Sequence, residues 1–191
     1  MLFRSDGRAT GCDFLDERHC LLPYPSDAYT LADPSSATTG VRVAMPAAGM
    51  PSNTDGVAVD PTEWNRNDGF SPNSTILTRV PGLDATASRL PSWTDLGASL
   101  APDASVVVLD RTTGLRLPAW AELDVKAPVD DQYLAIHAAV VLPEGHEIVV
   151  AMRDLRRADG QEIAPNPVFR VYRDRLGTGR SEEHTSELQS P

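Results

Sequence analysis

The stretch from Gln132 to Asp154, QYLAIHAAVVLPEGHEIVVAMRD, constrains the fold of this chain more than any other. Leu134 and Ile136 alternate with Tyr133, Ala135 and His137, while Ile148, Val150 and Met152 alternate with Glu147, Val149, Ala151 and Arg153. A period of two marks strands, whose successive side chains point to opposite faces. Between the two runs, Leu142-Pro143-Glu144-Gly145 combines a Pro of fixed φ with a Gly that accepts positive φ, which predicts a tight reversal between antiparallel strands. Ala135, Val149 and Ala151 make the second faces half apolar as well. The expected hairpin therefore belongs in the middle of a sheet, since an edge would carry more charge.

The totals bound the rest. A chain of 191 residues holds one domain or a domain with an extension, and as one body it would bury about 70% of its unfolded surface. With 16 Pro and 13 Gly, turns are favoured over long helices. A net charge of -10 argues against a nucleic-acid partner, because phosphate binding rests on clustered Lys and Arg, and only Arg153, Arg156 and Arg157 lie close together. Lys126 is the single Lys among 17 basic residues, a bias that fits a GC-rich coding sequence. No run of about 18 apolar residues is present to form a transmembrane helix. The start MLFRSDGRATG lacks the apolar core of a signal peptide, so an export signal would lie upstream of Met1.

Cys12 and Cys20 enclose CDFLDERHC, a spacing that permits a local disulfide and does not match a CxxC site. In an oxidising compartment their pairing would contribute about 2.5 kcal/mol by loop entropy. Separate thiols are the alternative, and a zinc site with His19 lacks a fourth ligand. From Leu21 to Gly82 the text is rich in turns and reads as an extended segment that wraps another body. VRVAM at Val41 to Met45 is a short strand. Asp60-Pro61-Thr62-Glu63 is a helix start with a capping-box spacing, which predicts one or two turns through Asn67. STILTRV from Ser74 to Val80 reads as a strand with Ile76 facing inward.

The motifs Leu22-Pro23-Tyr24-Pro25-Ser26-Asp27 and Asn67-Asp68-Gly69-Phe70-Ser71 resemble the N-terminal region of the bacterial virulence-factor lipase family. Its members carry a similar L/I-P-F-P-N-D element and a D-G-F-S element ahead of the hydrolase. Tyr24 replaces Phe and Ser26 replaces Asn. The longer runs around both motifs also resemble the beginning of large exported proteins of actinobacteria. The resemblance covers Cys12 to Gly82 and implies an accessory region ahead of a catalytic domain, in an extracellular or cell-surface protein.

From about Asp95 onward, VVVLD, LRLPAWAELD, the opening pair of strands and FRVY at Phe169 to Tyr172 are short strand-like runs at near-regular spacing, as in a sandwich. The phrase LPEGHEIVVAMRDLRRADGQEI is similar to the close of a bacterial Ig-like domain, with Ile148 where that family has Tyr. If LRLPAWAELD is one regular strand, Trp120 lies on the face opposite Leu115, Leu117, Ala119, Ala121 and Leu123. Three readings of Trp120 stay open: a bulge at Pro118 that flips the register, a cover over the N-terminal wrap, or a ligand or domain contact.

No catalytic residue, cofactor site or metal site is read from the chain. G-x-S-x-G, P-loop, G-x-G-x-x-G, H-E-x-x-H and EF-hand patterns are all missing from the sequence. His19, His137 and His146 lack a Ser in a nucleophile context, and His137 reads as a cross-strand surface neighbour. Asp130-Asp131 and Asp159-Gly160 offer too few oxygens for calcium and read as solvated turns. Arg180 to Pro191, RSEEHTSELQSP, resembles the conceptual translation of a sequencing adaptor, so His184 carries no functional weight. Without its three acids and one base, the charge of -10 becomes -8.

The expected fold is mostly β. Residues 1–11 are a disordered start, 12–82 the irregular wrap with one short helix, 76–173 an Ig-like antiparallel sandwich, and 174–191 a disordered tail. Trp120 and Trp64 are the candidate contact residues. Two functions are compatible with this reading: a non-catalytic accessory region of an exported lipase or esterase-like protein, packed on a downstream domain, or a surface adhesion or glycan-binding module. An aromatic content of 6% gives little material for a sugar platform and favours the first.

Overall fold

The computed structural model describes residues 15–16, 19–171 and 173–174. Its strands are β1 (Thr30–Ala32), β2 (Val41–Val43), β3 (Ile76–Arg79), β4 (Val106–Asp110), β5 (Leu115–Leu117), β6 (Ala119–Leu123), β7 (Tyr133–Ala138) and β8 (Ile148–Met152). They form three antiparallel sheets, β1-β2, β3-β7-β6 and β5-β4-β8, connected by loops and short 3-10 turns. The fold is mostly β, as expected.

Alternation places the core where the sequence puts it. In β7, Leu134 and Ile136 are fully buried, and in β4 so are Val106 and Val108. These residues, with Ile76 of β3, Ala119 and Ala121 of β6, and Leu83, form one apolar cluster shared by the two three-stranded sheets. Burial of each large aliphatic side chain contributes about 1.5–3 kcal/mol. A smaller cluster of Tyr29, Val43 and Met45, flanked by Leu21, Tyr24, Met50 and Phe70, serves the N-terminal segment.

The expected hairpin does not form. β7 lies in the middle of its sheet with β3 on one side and β6 on the other, so neither ladder is open to β8. The Pro-Glu-Gly turn is present, with Gly145 at φ 71°, but it delivers β8 to β4 in the other sheet. There Val108 faces Val150 and Asp110 faces Ile148. β8 is consequently an edge strand rather than an interior one.

Pro118 produces a second crossing. LRLPAWAELD is not one strand: β5 pairs with β4, whereas β6 pairs with β7. The face parity survives the break, because Ala119 and Ala121 are buried and Trp120 is not. A register flip at Pro118 is thereby excluded.

The strand expected at Phe169 to Tyr172 does not form over its described residues, Phe169 to Val171. Residues 167–171 and 173–174 are helical, because Asn166 caps the turn through its side chain to Val168 N (2.8 Å) and Pro167 supplies a pre-set φ at the first helical position. The helix expected after Asp60 shrinks to a 3-10 turn at Trp64–Arg66. Asp60 does accept from Thr62 N at 2.9 Å, but Glu63 reaches Arg66 at 3.1 Å, and no capping box closes. The ends read as disordered, 1–11 and 175–191, lie outside the described residues, while Asp174 is helical. Cys12, and with it the expected pair with Cys20, also lies outside them; among the described residues no cysteine is free.

Truncation should separate the two faces of the sheets. Leu134→Ala is expected to lower stability by about 2–5 kcal/mol through the cavity it leaves, whereas Val149→Ala on an exposed face should cost about 0.5 kcal/mol or less. Urea unfolding followed by circular dichroism measures both.

Candidate functional site

A buried ion pair joins the N-terminal segment to the strands. Arg79, at the end of β3, donates through Nε to Asp16 Oδ2 (2.8 Å) and through Nη2 to Asp16 Oδ1 (3.1 Å). Its Nη1 donates to the Asp130 carbonyl (2.9 Å) and to Asp131 Oδ1 (3.2 Å). The Arg79 and Asp16 side chains are each only 8% exposed. A buried guanidinium is tolerated because its donors are matched in a planar fork. The hydrogen bond to Asp16 raises the Arg79 pKa against the opposing effect of burial. His19 adds an edge contact to Tyr133, with ring centroids 5.4 Å apart. Asp131, read as a solvated turn residue, is a partner of this cation.

A second polar knot fixes the turn into β8. Asp110, at the end of β4, is 2% exposed. Its carboxylate lies 2.8 Å from His146 Nδ1 and accepts from Thr113 Oγ1 (2.7 Å) and Thr112 N (3.0 Å). Burial disfavours its charge, but the hydrogen bonds from His146 and Thr113 outweigh that and hold its pKa below the ordinary carboxylate value.

Trp120 stands on the outer face of β6, where it stacks on its cross-strand neighbour His137 at a centroid distance of 4.7 Å and an interplanar angle of 15°. His137 is the strand neighbour that the alternation indicated. Its Nε2 lies 3.2 Å from Glu122 Oε1, within ion-pair range although outside hydrogen-bond geometry. Trp120 borders two concavities. One, of about 220 Å³, is lined on its far side by Pro72, Asn73, Ser74 and Thr75 of the N-terminal segment. The other is an open groove of about 720 Å³ that Trp120 shares with Trp93, Arg89, Glu122, Val125 and Gln132. Trp93 is 70% exposed. Trp64, the other sequence candidate, lines neither concavity and is 49% exposed on its 3-10 turn.

Sequence reasoning passed over Arg79, Asp16 and the Asp110–His146 pair. The signal available for Asp110 was local, since Asp-x-x-x-Gly after a strand is an Asx-turn pattern. Nothing local joins Asp16 to Arg79, which are 63 positions apart. Among the described residues, no group of three His, Cys, Asp or Glu is placed to hold a metal ion, and no helix is long and apolar enough to cross a membrane. Comparison with protein families, curated proteins and solved structures finds no match to this chain.

Two measurements test these knots. Arg79→Met should cost roughly 3 kcal/mol, the low end for stranding a buried partner, because Asp131 is half exposed. Asp110 titrates below its unfolded value of about 3.9, so its contribution is complete above about pH 5 and is lost as the pH falls through the depressed native pKa. Asp110→Asn should therefore be less stable than wild type at pH 7 and show a shallower loss of stability in acid. Urea midpoints from pH 7 down to about pH 2 give the comparison.

Proposed function

We propose that this chain is the non-catalytic, Ig-like N-terminal accessory region of an exported lipase or esterase-like protein, extracellular or at the cell surface, and that it packs on a hydrolase domain further along the polypeptide. One observation carries this reading: the two motifs that resemble the virulence-factor lipase family, far apart in sequence, meet in space. Tyr24 of the first motif and Phe70 of the second form an edge-to-face pair with centroids 5.6 Å apart and an interplanar angle of 79°. The backbone of Tyr24 is also bonded in both directions to Leu77 of β3, at 2.8 and 2.6 Å. The motif residues thus fasten the N-terminal segment to the sheet that carries the core. That is a scaffolding role, and it suits a region that precedes catalysis without performing it.

The Trp93 and Trp120 groove favours a second reading, a glycan-binding module, because the exposed Trp93 and the half-buried Trp120 beside Arg89, Glu122 and Gln132 offer stacking and hydrogen bonds together. Reproducible glycan-array binding lost in Trp93→Ala and Trp120→Ala would favour it over the first.

The purified chain is expected to leave p-nitrophenyl esters intact, and the reading frame beyond Gly179 is expected to encode G-x-S-x-G or a close variant, then an acid and a His. Ester turnover abolished by a serine-directed inhibitor would overturn the non-catalytic assignment. A complete reading frame without such a triad would overturn the hydrolase context.

A further inference from the structure

The two three-stranded sheets have four edges, and three of them are closed or blunted. Tyr24 bonds along β3 through Leu77. On β6, the N–H of Ala119 donates to Ser99 Oγ (3.0 Å) and that of Ala121 to the Pro91 carbonyl (2.9 Å). β5 is three residues long and is followed directly by Pro118. β8 differs from all of these. Glu147 O and Arg153 N bond toward β4, so Ile148, Val150 and Met152 turn their backbone N–H and C=O groups away from it. Among the described residues none bonds to those groups. Val149 and Met152 are each 38% exposed. The strand IVVAM contains no charge, Pro or Gly, the devices that usually protect an edge.

We propose that β8 is a self-association edge whose partner is β8 of a second copy of this chain, paired antiparallel about a two-fold axis at Val150. The sequence is complementary to itself in that register. Val150 faces the partner's Val150, Ile148 faces the partner's Met152, and Val149 faces the partner's Ala151. At both flanks Glu147 faces the partner's Arg153. All these neighbours are apolar pairs or opposite charges, the combinations that stabilise cross-strand contacts. The Arg153 side chain donates through Nε to the Ala104 carbonyl (2.9 Å) and through Nη2 to the Pro102 carbonyl, which leaves Nη1 for the facing carboxylate. The outward groups of Ile148, Val150 and Met152 would supply about six ladder hydrogen bonds, and the joined sheet would run β5-β4-β8 and then through β8, β4 and β5 of the second copy. Glu147 is already 2.5 Å from Arg111, so the partner's Arg153 extends a row of alternating charge. An isologous contact of this kind closes on itself and limits assembly to a dimer. It goes beyond the accessory reading and does not rest on it.

Sedimentation equilibrium of the full chain tests the register. A single edge-to-edge contact is small, so the wild type should dimerise reversibly, with a dissociation constant in roughly the micromolar range. Glu147→Arg puts like charges opposite each other at both flanks, as does Arg153→Glu, and each variant alone should dimerise at least about tenfold more weakly. Mixed together, the two variants restore an opposite-charge pair at both flanks and should form a heterodimer in preference to either homodimer. Such rescue on mixing also shows that both variants are folded, which circular dichroism of each checks independently. A wild type that stays monomeric into the submillimolar range overturns the proposal. So does dimerisation that either single variant leaves unchanged, or variants that are folded and fail to rescue each other.

Discussion

β7 has a neighbour on each side, and most of the architecture follows from that. With β3 on one ladder and β6 on the other, the chain leaving Ala138 has no place in the same sheet. It passes through Leu142, which packs against the core, and enters a second sheet beside β4. Pro118 accomplishes a similar transfer between β5 and β6. Because both crossings preserve the alternation of faces, the inward residues of both sheets fall into one cluster, and burial of that shared apolar surface is the main favourable term.

Polar groups fasten the pieces that the core does not reach. Arg79 holds Asp16 and the Asp130–Asp131 turn together, so a segment without extensive regular structure is tied to β3 at its margin. A guanidinium suits this position better than an ammonium, because its donors lie in a plane and can satisfy a carboxylate and a carbonyl at once. Asp110 has the corresponding role at the entry to β8, where one carboxylate organises the Thr112–Thr113 turn and anchors His146. Both knots bury charge and both supply its partners, which is the condition under which such burial is tolerated.

The surface divides by the same logic. The N-terminal segment closes the edge of β3, and the loop before β4 closes the edge of β6, which leaves Trp93 and Trp120 bordering an open groove and β8 bordering solvent. The segments around Tyr24 and Phe70 are committed to the first of these closures, through the edge-to-face pair of those two rings.

Alternation in Tyr133–Ala138 and Ile148–Met152 was enough to determine which residues point inward, because a pleat assigns faces by parity whatever sheet a strand joins. The same parity put Trp120 outside the core. Partners are another matter. A reversal between two strands looks identical in sequence whether it closes a hairpin or crosses between sheets, and only occupation of both ladders of β7 selected the crossing. FRVY alternates as a strand does, yet the Asn166 cap and Pro167 made residues 167–171 helical. Asp16 and Arg79 carry no local sign of each other, and neither do Trp93 and Trp120. Contacts across such separations depend on where the sheets place their margins, and tertiary structure alone supplied them.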